Sequence, residues 1–323
     1  IKQYVDMDAS CATARKEKEE REYISMRMRR WLKESWNPNE DKKDLYTDRT
    51  WKTNELTRIP PMYYTDCGGC SRENQQIFSI KVESIRGGLR WPLDVFGVVT
   101  ARDTLRMEHK RNIVFARSRS NCQTITEQCP YLELTGPTRA VVVDFDPGSF
   151  EVVLKVKGAT ESADRDLSFL VLPLKECYQY RRYYTSKHST LELTLRRIDR
   201  SVEATISMRL AAGSSWPRGF QGVFTASIAS IDDAEVSLLS FEDDKLPVIA
   251  DDGIIKLTRR VVSVEREHGE LKVSATTWCA NDEQDAMTND IVFTPRFAGR
   301  SCGVLNVGTC KIQITVAWSL FDW

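Results

Sequence analysis

Cys67-Gly68-Gly69-Cys70 places two thiols at a spacing that could hold a metal or exchange a disulfide. A closed structural zinc site wants four ligands, and neither Cys122 with Cys129 nor Cys302 with Cys310 forms a second pair of the right spacing. A redox pair wants a helix after its first thiol to lower the pKa, whereas the Gly-Gly centre reads as a loop. Inert thiols or a disulfide is therefore the first reading, with a metal and then redox catalysis behind it. Nine cysteines in 323 residues is an odd and sparse number. It leaves at least one thiol unpaired in a monomer and slightly favours a reducing, cytoplasmic compartment.

His109, His188 and His268 each stand beside charged or glycine turn residues, and no two have metal-ligand spacing. The chain has no Gly-x-Ser-x-Gly elbow, phosphate loop or His-Glu-x-x-His. The histidines read as solvated loop residues, and no catalytic residue, cofactor site or metal ligand is assigned. Asp144-x-Asp146, Asp232-Asp233, Asp243-Asp244 and Asp251-Asp252 could gather at one end of a β-sandwich and coordinate Ca²⁺ through their oxygens. Solvated loop acids is the plainer account. Six basic groups from Arg102 to Arg119 could form a phosphate-binding face, although strand alternation would put only half of them on one side.

The elements that would carry these residues fall into two kinds. Over residues 13–36 the chain has good helix formers, no Gly or Pro, and Ile24, Met28, Trp31 and Leu32 at the spacing of one apolar face. The predicted helix stops at Asn37-Pro38, since proline cannot continue the hydrogen-bond ladder. Residues 37–74 are polar and turn-rich and read as an extended connector. After Gln75 come short runs rich in Val, Ile, Thr and Phe: 78–82, 95–101, 140–145, 150–156, 190–195, 202–210, 223–228, 261–264, 271–275 and 311–318. Separated by Gly, Pro, Asp and Asn, they predict antiparallel β structure.

A long-period repeat organises the strands. Gly88-x-x-Trp91-Pro92-x4-Gly97-Val98-Val99-Thr100-Ala101 recurs without a gap as Gly213-x-x-Trp216-Pro217-x4-Gly222-Val223-Phe224-Thr225-Ala226. Leu134-Thr135 answers Leu257-Thr258, Leu154-Lys155-Val156 answers Leu271-Lys272-Val273, and Asp166-Leu167-x-Phe169 answers Asp290-Ile291-x-Phe293. The period is too long for solenoid or propeller repeats and suits duplication of an all-β unit the size of one sandwich. The expectation is a mainly β chain: residues 1–74 as helix and connector, then two tandem related antiparallel β-sandwich units at 75–197 and 198–323. Proline suits a strand start, and the adjacent Trp91 and Trp216 are expected to bury their rings over the sandwich ends rather than stack sugars or bases.

Composition excludes some classes. At 41% hydrophobic and 28% charged the chain is ordinary for a soluble globular protein. Its longest mostly apolar stretch, residues 167–174, is far short of the roughly 18 to 20 residues of a membrane-spanning helix. Lys+Arg and Asp+Glu are both 46, so net charge supplies no overall attraction to nucleic acid or membrane. The balance is uneven along the chain: residues 75–197 carry 19 basic and 14 acidic groups, whereas residues 198–323 carry 12 and 18. These opposite charges suggest that the two units face each other.

Ile59-Pro60-Pro61-Met62-x-Tyr64-Thr65-Asp66, Gly88-Leu89-x-Trp91-Pro92-Leu93-x-Val95-Phe96-Gly97, Arg102-Asp103, Asn121-Cys122-Gln123, Leu134-Thr135-Gly136-Pro137-x-Arg139, Phe150-Glu151 and Ala317-Trp318-Ser319 together resemble a plant domain of unknown function, expanded in grasses. The resemblance covers residues 59–323. In some grass proteins a similar domain follows a ribosome-inactivating rRNA N-glycosidase domain, which implies a defence-associated accessory or binding role. It supplies no catalytic residues. The glycosidase itself looks for a helical Glu-Ala-x-Arg, and the nearest string, Glu203-Ala204-Thr205-Ile206, lacks the arginine and falls in a predicted strand.

The expected function is a non-catalytic binding or accessory module, with an uncharacterised hydrolase or a degenerate rRNA N-glycosidase as the alternative. A protein partner is favoured, met by sandwich loops or by the helix centred on Met28 and Trp31. A glycan, a Ca²⁺-dependent lipid and RNA remain open.

Overall fold

The computed structural model describes residues 69–102, 112–143, 148–174, 181–216, 220–229, 231, 234–241, 248–249, 253–279 and 282–321. The expected N-terminal helix and nearly all of the connector lie outside this set, as do Cys67, His109, Pro217 and the four aspartate groups. What is described is mainly β, in antiparallel sheets.

A sheet of nine strands forms the spine. At its centre β1 (Arg72–Ile85) pairs with β9 (Ser189–Leu210), from Ile85 opposite Ser189 to Arg72 opposite Ser201. The runs 190–195 and 202–210, read from sequence as separate strands, are both parts of β9, kept continuous by pairing with β1 up to Ser201 and with β14 (Val261–Glu265) and β18 (Cys310–Ser319) from there on. Arg200, at φ 43, marks where β9 changes neighbours. Before it lie β8 (Arg181–Thr185) and all of the β1 pairing but its last pair; beyond it lie β14 and β18, with β17 (Gly299–Val307) outside β18. The short strands β5 (Val141–Val142) on β1, and β12 (Val248–Ile249) and β13 (Ile254–Ile255) at the far end of β9, complete the sheet. The expected boundary between residues 197 and 198 thus falls inside one continuous strand.

Two further sheets supply the opposing layers. One has the order β3 (Asn112–Arg117), β2 (Leu93–Arg102), β6 (Ser149–Val156), β7 (Arg165–Pro173), with β4 (Gln123–Ile125) also on β2. The other has the order β11 (Glu235–Phe241), β10 (Phe220–Ile228), β15 (Leu271–Cys279), β16 (Asp282–Phe293). Alternating apolar residues of each meet the spine in a separate core. Val95, Val99, Phe115, Phe150 and Val152 join Ile80 and Leu193 in the first; Phe224, Leu239, Val273 and Ala275 join Ala204, Ile206 and Trp318 in the second.

The same local irregularity occurs in both layers. Between β2 and β3 the register jumps at Val99 and Thr100, leaving Val114 without a cross-strand partner. Between β10 and β11 it jumps at Phe224 and Thr225, leaving Leu238 without one. The Val114 carbonyl accepts the N–H groups of Thr135 and Gly136 at 3.0 and 3.1 Å; the Leu238 carbonyl accepts those of Thr258 and Arg259 at 2.8 and 3.0 Å. A bulge frees a carbonyl from its ladder, and in each case a returning segment takes it. Elsewhere the register differs from the sequence match. Gly97 faces Leu154 and Gly222 faces Thr277, so the strand position of Leu271-Lys272-Val273 is not that of Leu154-Lys155-Val156.

The two cores are tied along a seam. A register shift between Ile77 and Ser79 of β1 leaves Phe78 as an extra residue, and its ring packs into the second core while Ile77 and Ile80 stay in the first. Arg259, 3% exposed, donates from its guanidinium to the carbonyls of Phe78 at 3.0 Å and Ile77 at 2.5 Å. Burial lowers its pKa to about 10, which leaves it charged at neutral pH. Glu203, also buried, accepts the Ala140 N–H at 2.7 Å, and desolvation pushes its carboxyl above the ordinary range against that bond. These seam bonds join charged side chains to backbone groups rather than positive to negative side chains. Ala140, Val142, Val261 and Phe321 form a small apolar cluster beside them.

Candidate binding face

The sequence-selected residues are mostly spoken for by structure. Trp91 packs against the first core and Trp216 against the second. The Trp216 indole N–H donates to the Phe220 carbonyl at 3.0 Å, and its ring meets Phe241 edge-on at 5.1 Å. Pro92 is exposed just before β2. Gly88 and Gly213 both have φ 77, a left-handed conformation that glycine adopts without a Cβ clash. His188 donates from Nδ1 to the Asp166 carbonyl at 2.7 Å, and His268 lies exposed in the turn between β14 and β15. Cys70, Cys122, Cys129, Cys279, Cys302 and Cys310 are free thiols, and burial raises the pKa of Cys310. Among the described residues no three His, Cys, Asp or Glu side chains are placed to hold a metal ion.

The basic stretch ending at Arg119 is not an open phosphate face where it is described. Arg117 binds Glu133 at 2.5 Å, and Arg119 binds Asp164 at 2.9 Å. The Asp164 carboxylate also accepts the Gly158 N–H at 2.8 Å; the Arg119 bond first, and this one second, hold its pKa down. These contacts staple two loops at one end of the first core.

One surface with exposed side chains suited to recognition lies on the outer side of β8, β9 and β1. Directly opposite residues of antiparallel strands share a face. Tyr183 stands opposite Glu192, Glu192 opposite Lys81, and Lys81 opposite Tyr131. The result is a row across the sheet with a tyrosine at each end. Tyr131 is 45% and Tyr183 55% exposed, unusual for rings of this size, whereas Glu192 between them is 6% exposed. The alternate residue Tyr184 turns inward to the first core, which is why Tyr183 must turn out.

Electrostatics organises this row. The Glu192 carboxylate accepts the Tyr183 hydroxyl, and that bond, with burial, raises the tyrosine pKa. Arg181 Nε lies 3.4 Å from Glu192 Oε1. Lys81 Nζ lies 2.6 Å from Glu83 Oε2, which raises the lysine pKa. Nearby on the same strand pair, Thr185 and Thr190 share a hydroxyl hydrogen bond of 3.0 Å. The surface is rich in hydroxyls and its charges are matched locally; the Tyr183 ring sits on a paired strand, and Tyr131 on a connecting segment held to β1 by a single bridge. None of Tyr131, Lys81, Glu192 or Tyr183 was singled out from sequence. The outward alternation of Arg181, Tyr183 and Thr185 is a signal, but only the register between strands distant in sequence unites it with Lys81 and Tyr131.

A family model described as Domain of unknown function (DUF6598) matches residues 75–316. No curated protein matches the chain. Among solved structures, the paired C2 domains of Extended-Synaptotagmin 2 are similar over 82% of this chain and 95% of that one, at 9% identity and a TM-score of 0.26. Human GIVD cytosolic phospholipase A2 is similar over 77% of this chain and 32% of its own, at 7% identity and a TM-score of 0.22. At TM-scores this low the likeness carries no argument about fold or function.

Proposed function

The chain belongs to the family described as Domain of unknown function (DUF6598), and we propose that it is a non-catalytic binding module built from two related β-sandwich units. The matched bulges at Val114 and Leu238, each closed by two N–H groups of a returning segment, support the relation between the units. The tyrosine-ended row carries the binding reading: the Tyr183 ring and a covered carboxylate are fixed on paired strands, and the Tyr131 ring on a segment bridged to β1, so little ordering entropy is lost when a ligand settles on them. A defence-associated accessory role is the setting that the sequence resemblance implies. A protein partner, the contact favoured from sequence, would be met by the sandwich loops or by residues 1–58.

The competing class is catalytic, and an rRNA N-glycosidase is its concrete form. Purified protein incubated with ribosomes is expected to release no adenine above a buffer control. Sustained adenine release in proportion to protein would replace the binding reading with an enzymatic one.

A further inference from the structure

We propose that the row Tyr131–Lys81–Glu192–Tyr183 is a binding site for a neutral oligosaccharide. This names the ligand class of the binding face and rests on the binding-module reading above. The four residues cross four paired segments, so at the usual spacing between strands the row is about 14 Å long. That suits a short chain of sugars better than a single one.

Charge argues for a neutral ligand. Arg181 is matched by Glu192 and Lys81 by Glu83, so the row offers no uncompensated positive field. RNA or an anionic membrane draws its affinity from such a field. The centre of a protein interface is, by contrast, depleted of charged groups and rich in apolar ones; the centre of this row is a carboxylate beside an ammonium, with apolar surface only in the rings at its ends. A sugar matches both features. Its C–H faces lie against aromatic rings, and its hydroxyls donate to carboxylate and accept from ammonium, guanidinium or hydroxyl groups.

The buried carboxylate strengthens the case. A covered charge is costly unless its lone pairs are satisfied. Glu192 has the Tyr183 hydroxyl and Arg181 as partners, and a carboxylate has about four acceptor positions. Glu192 is 6% exposed, so a ligand hydroxyl reaches a further one as the side chains around it shift aside. Tyr183 then has two roles: its ring is the platform, and its hydroxyl holds the carboxylate in place.

The test uses the full chain and isothermal titration with cellohexaose, xylohexaose, chitohexaose and maltohexaose, with heparin as an anionic control. At least one neutral oligosaccharide is expected to bind, and Tyr183→Ala and Tyr131→Ala are each expected to weaken it tenfold or more. Far-UV circular dichroism and thermal unfolding establish that the variants fold. Tyr183→Phe and Tyr131→Phe, which retain the rings, are expected to lose less than their alanine counterparts and keep the comparison if an alanine variant does not fold. No binding to any of the four, binding indifferent to both tyrosines, or binding to heparin alone would overturn the proposal. Adenine release from ribosomes is a separate readout, so failure of the sugar assignment and failure of the non-catalytic reading are told apart.

Discussion

Thr135-Gly136 and Thr258-Arg259 hold corresponding places in the two halves, each giving two N–H groups to the carbonyl of a bulged residue, and yet their second members do different things. At Gly136 a Cβ would stand 1.9 Å from the Ile113 carbonyl oxygen, so the first half needs glycine for close approach. In the second half the same place holds Arg259, whose guanidinium reaches into β1 and takes the carbonyls of Ile77 and Phe78. One backbone device therefore serves as a packing point in one core and as a clasp between cores in the other. The glycines of β2 and β10 differ in the same manner. Gly97 has φ 123, and a Cβ there would lie 2.1 Å from the Val153 carbonyl oxygen; at Gly222 the nearest atoms are 3.0 Å or more away and include movable side chains. Positions matched by the Gly88–Ala101 and Gly213–Ala226 pattern keep a residue type while its physical reason differs.

The largest test of this comparison is Phe78→Ala. Removing a buried ring costs about 4 kcal/mol, and the loss should fall on the second core although Phe78 belongs to β1. Denaturant unfolding measures the total, and hydrogen exchange should show protection falling further in β10 and β15 than in β2 and β6. Equal loss in both layers would mean that the seam does not divide the cores as described.

Next in size, Gly97→Ala is expected to cost about 3 kcal/mol, from backbone overlap together with a left-handed conformation that alanine resists. Gly222→Ala should cost about 1 kcal/mol, since its neighbours can give way. Unfolding midpoints of the two variants under identical conditions decide the matter. A Gly222 variant as damaged as the Gly97 variant would erase the distinction between the two glycines.

The smallest effect is a dependence on pH at the seam. Burial holds the Glu203 carboxyl above its ordinary range, so the folded protein keeps this proton to higher pH than the unfolded chain does. Stability from this group is therefore lost as pH rises from the unfolded carboxyl range through the folded value. Glu203→Gln retains an acceptor for the Ala140 N–H without the charge. Relative to wild type, the variant should gain stability between acidic and neutral buffer, as read from denaturant midpoints at both. Parallel pH profiles would show that Glu203 does not titrate in a buried place.

Most of the strands were legible because their signal is local. Valine, isoleucine and phenylalanine at alternate positions mark β2, β6, β10 and β18 without reference to anything else. Strands such as β3, β8, β16 and β17 lie at the edges of their sheets, and β8 and β17 alternate in exposure while burying few or no apolar residues, so no run of Val, Ile and Phe marks them. The binding face was less legible. Tyr183 and Glu192 lie close in sequence, but Lys81 and Tyr131 come from elsewhere in the chain and join them only through pairing.

By itself the sequence determined that the chain is mainly β, that the Gly88–Ala101 pattern returns at Gly213–Ala226, and that net charge offers no general attraction to a polyanion. Periodicity, composition and repeated order are properties of neighbours along the chain, which is why they can be read there. Tertiary structure alone decided that β9 runs unbroken between the two cores, that Phe78 crosses from one to the other, and that two tyrosines frame a buried carboxylate. Each of these depends on register. A one-residue slip or bulge reverses which face a side chain meets, and residues far apart in the chain must pair before that choice exists.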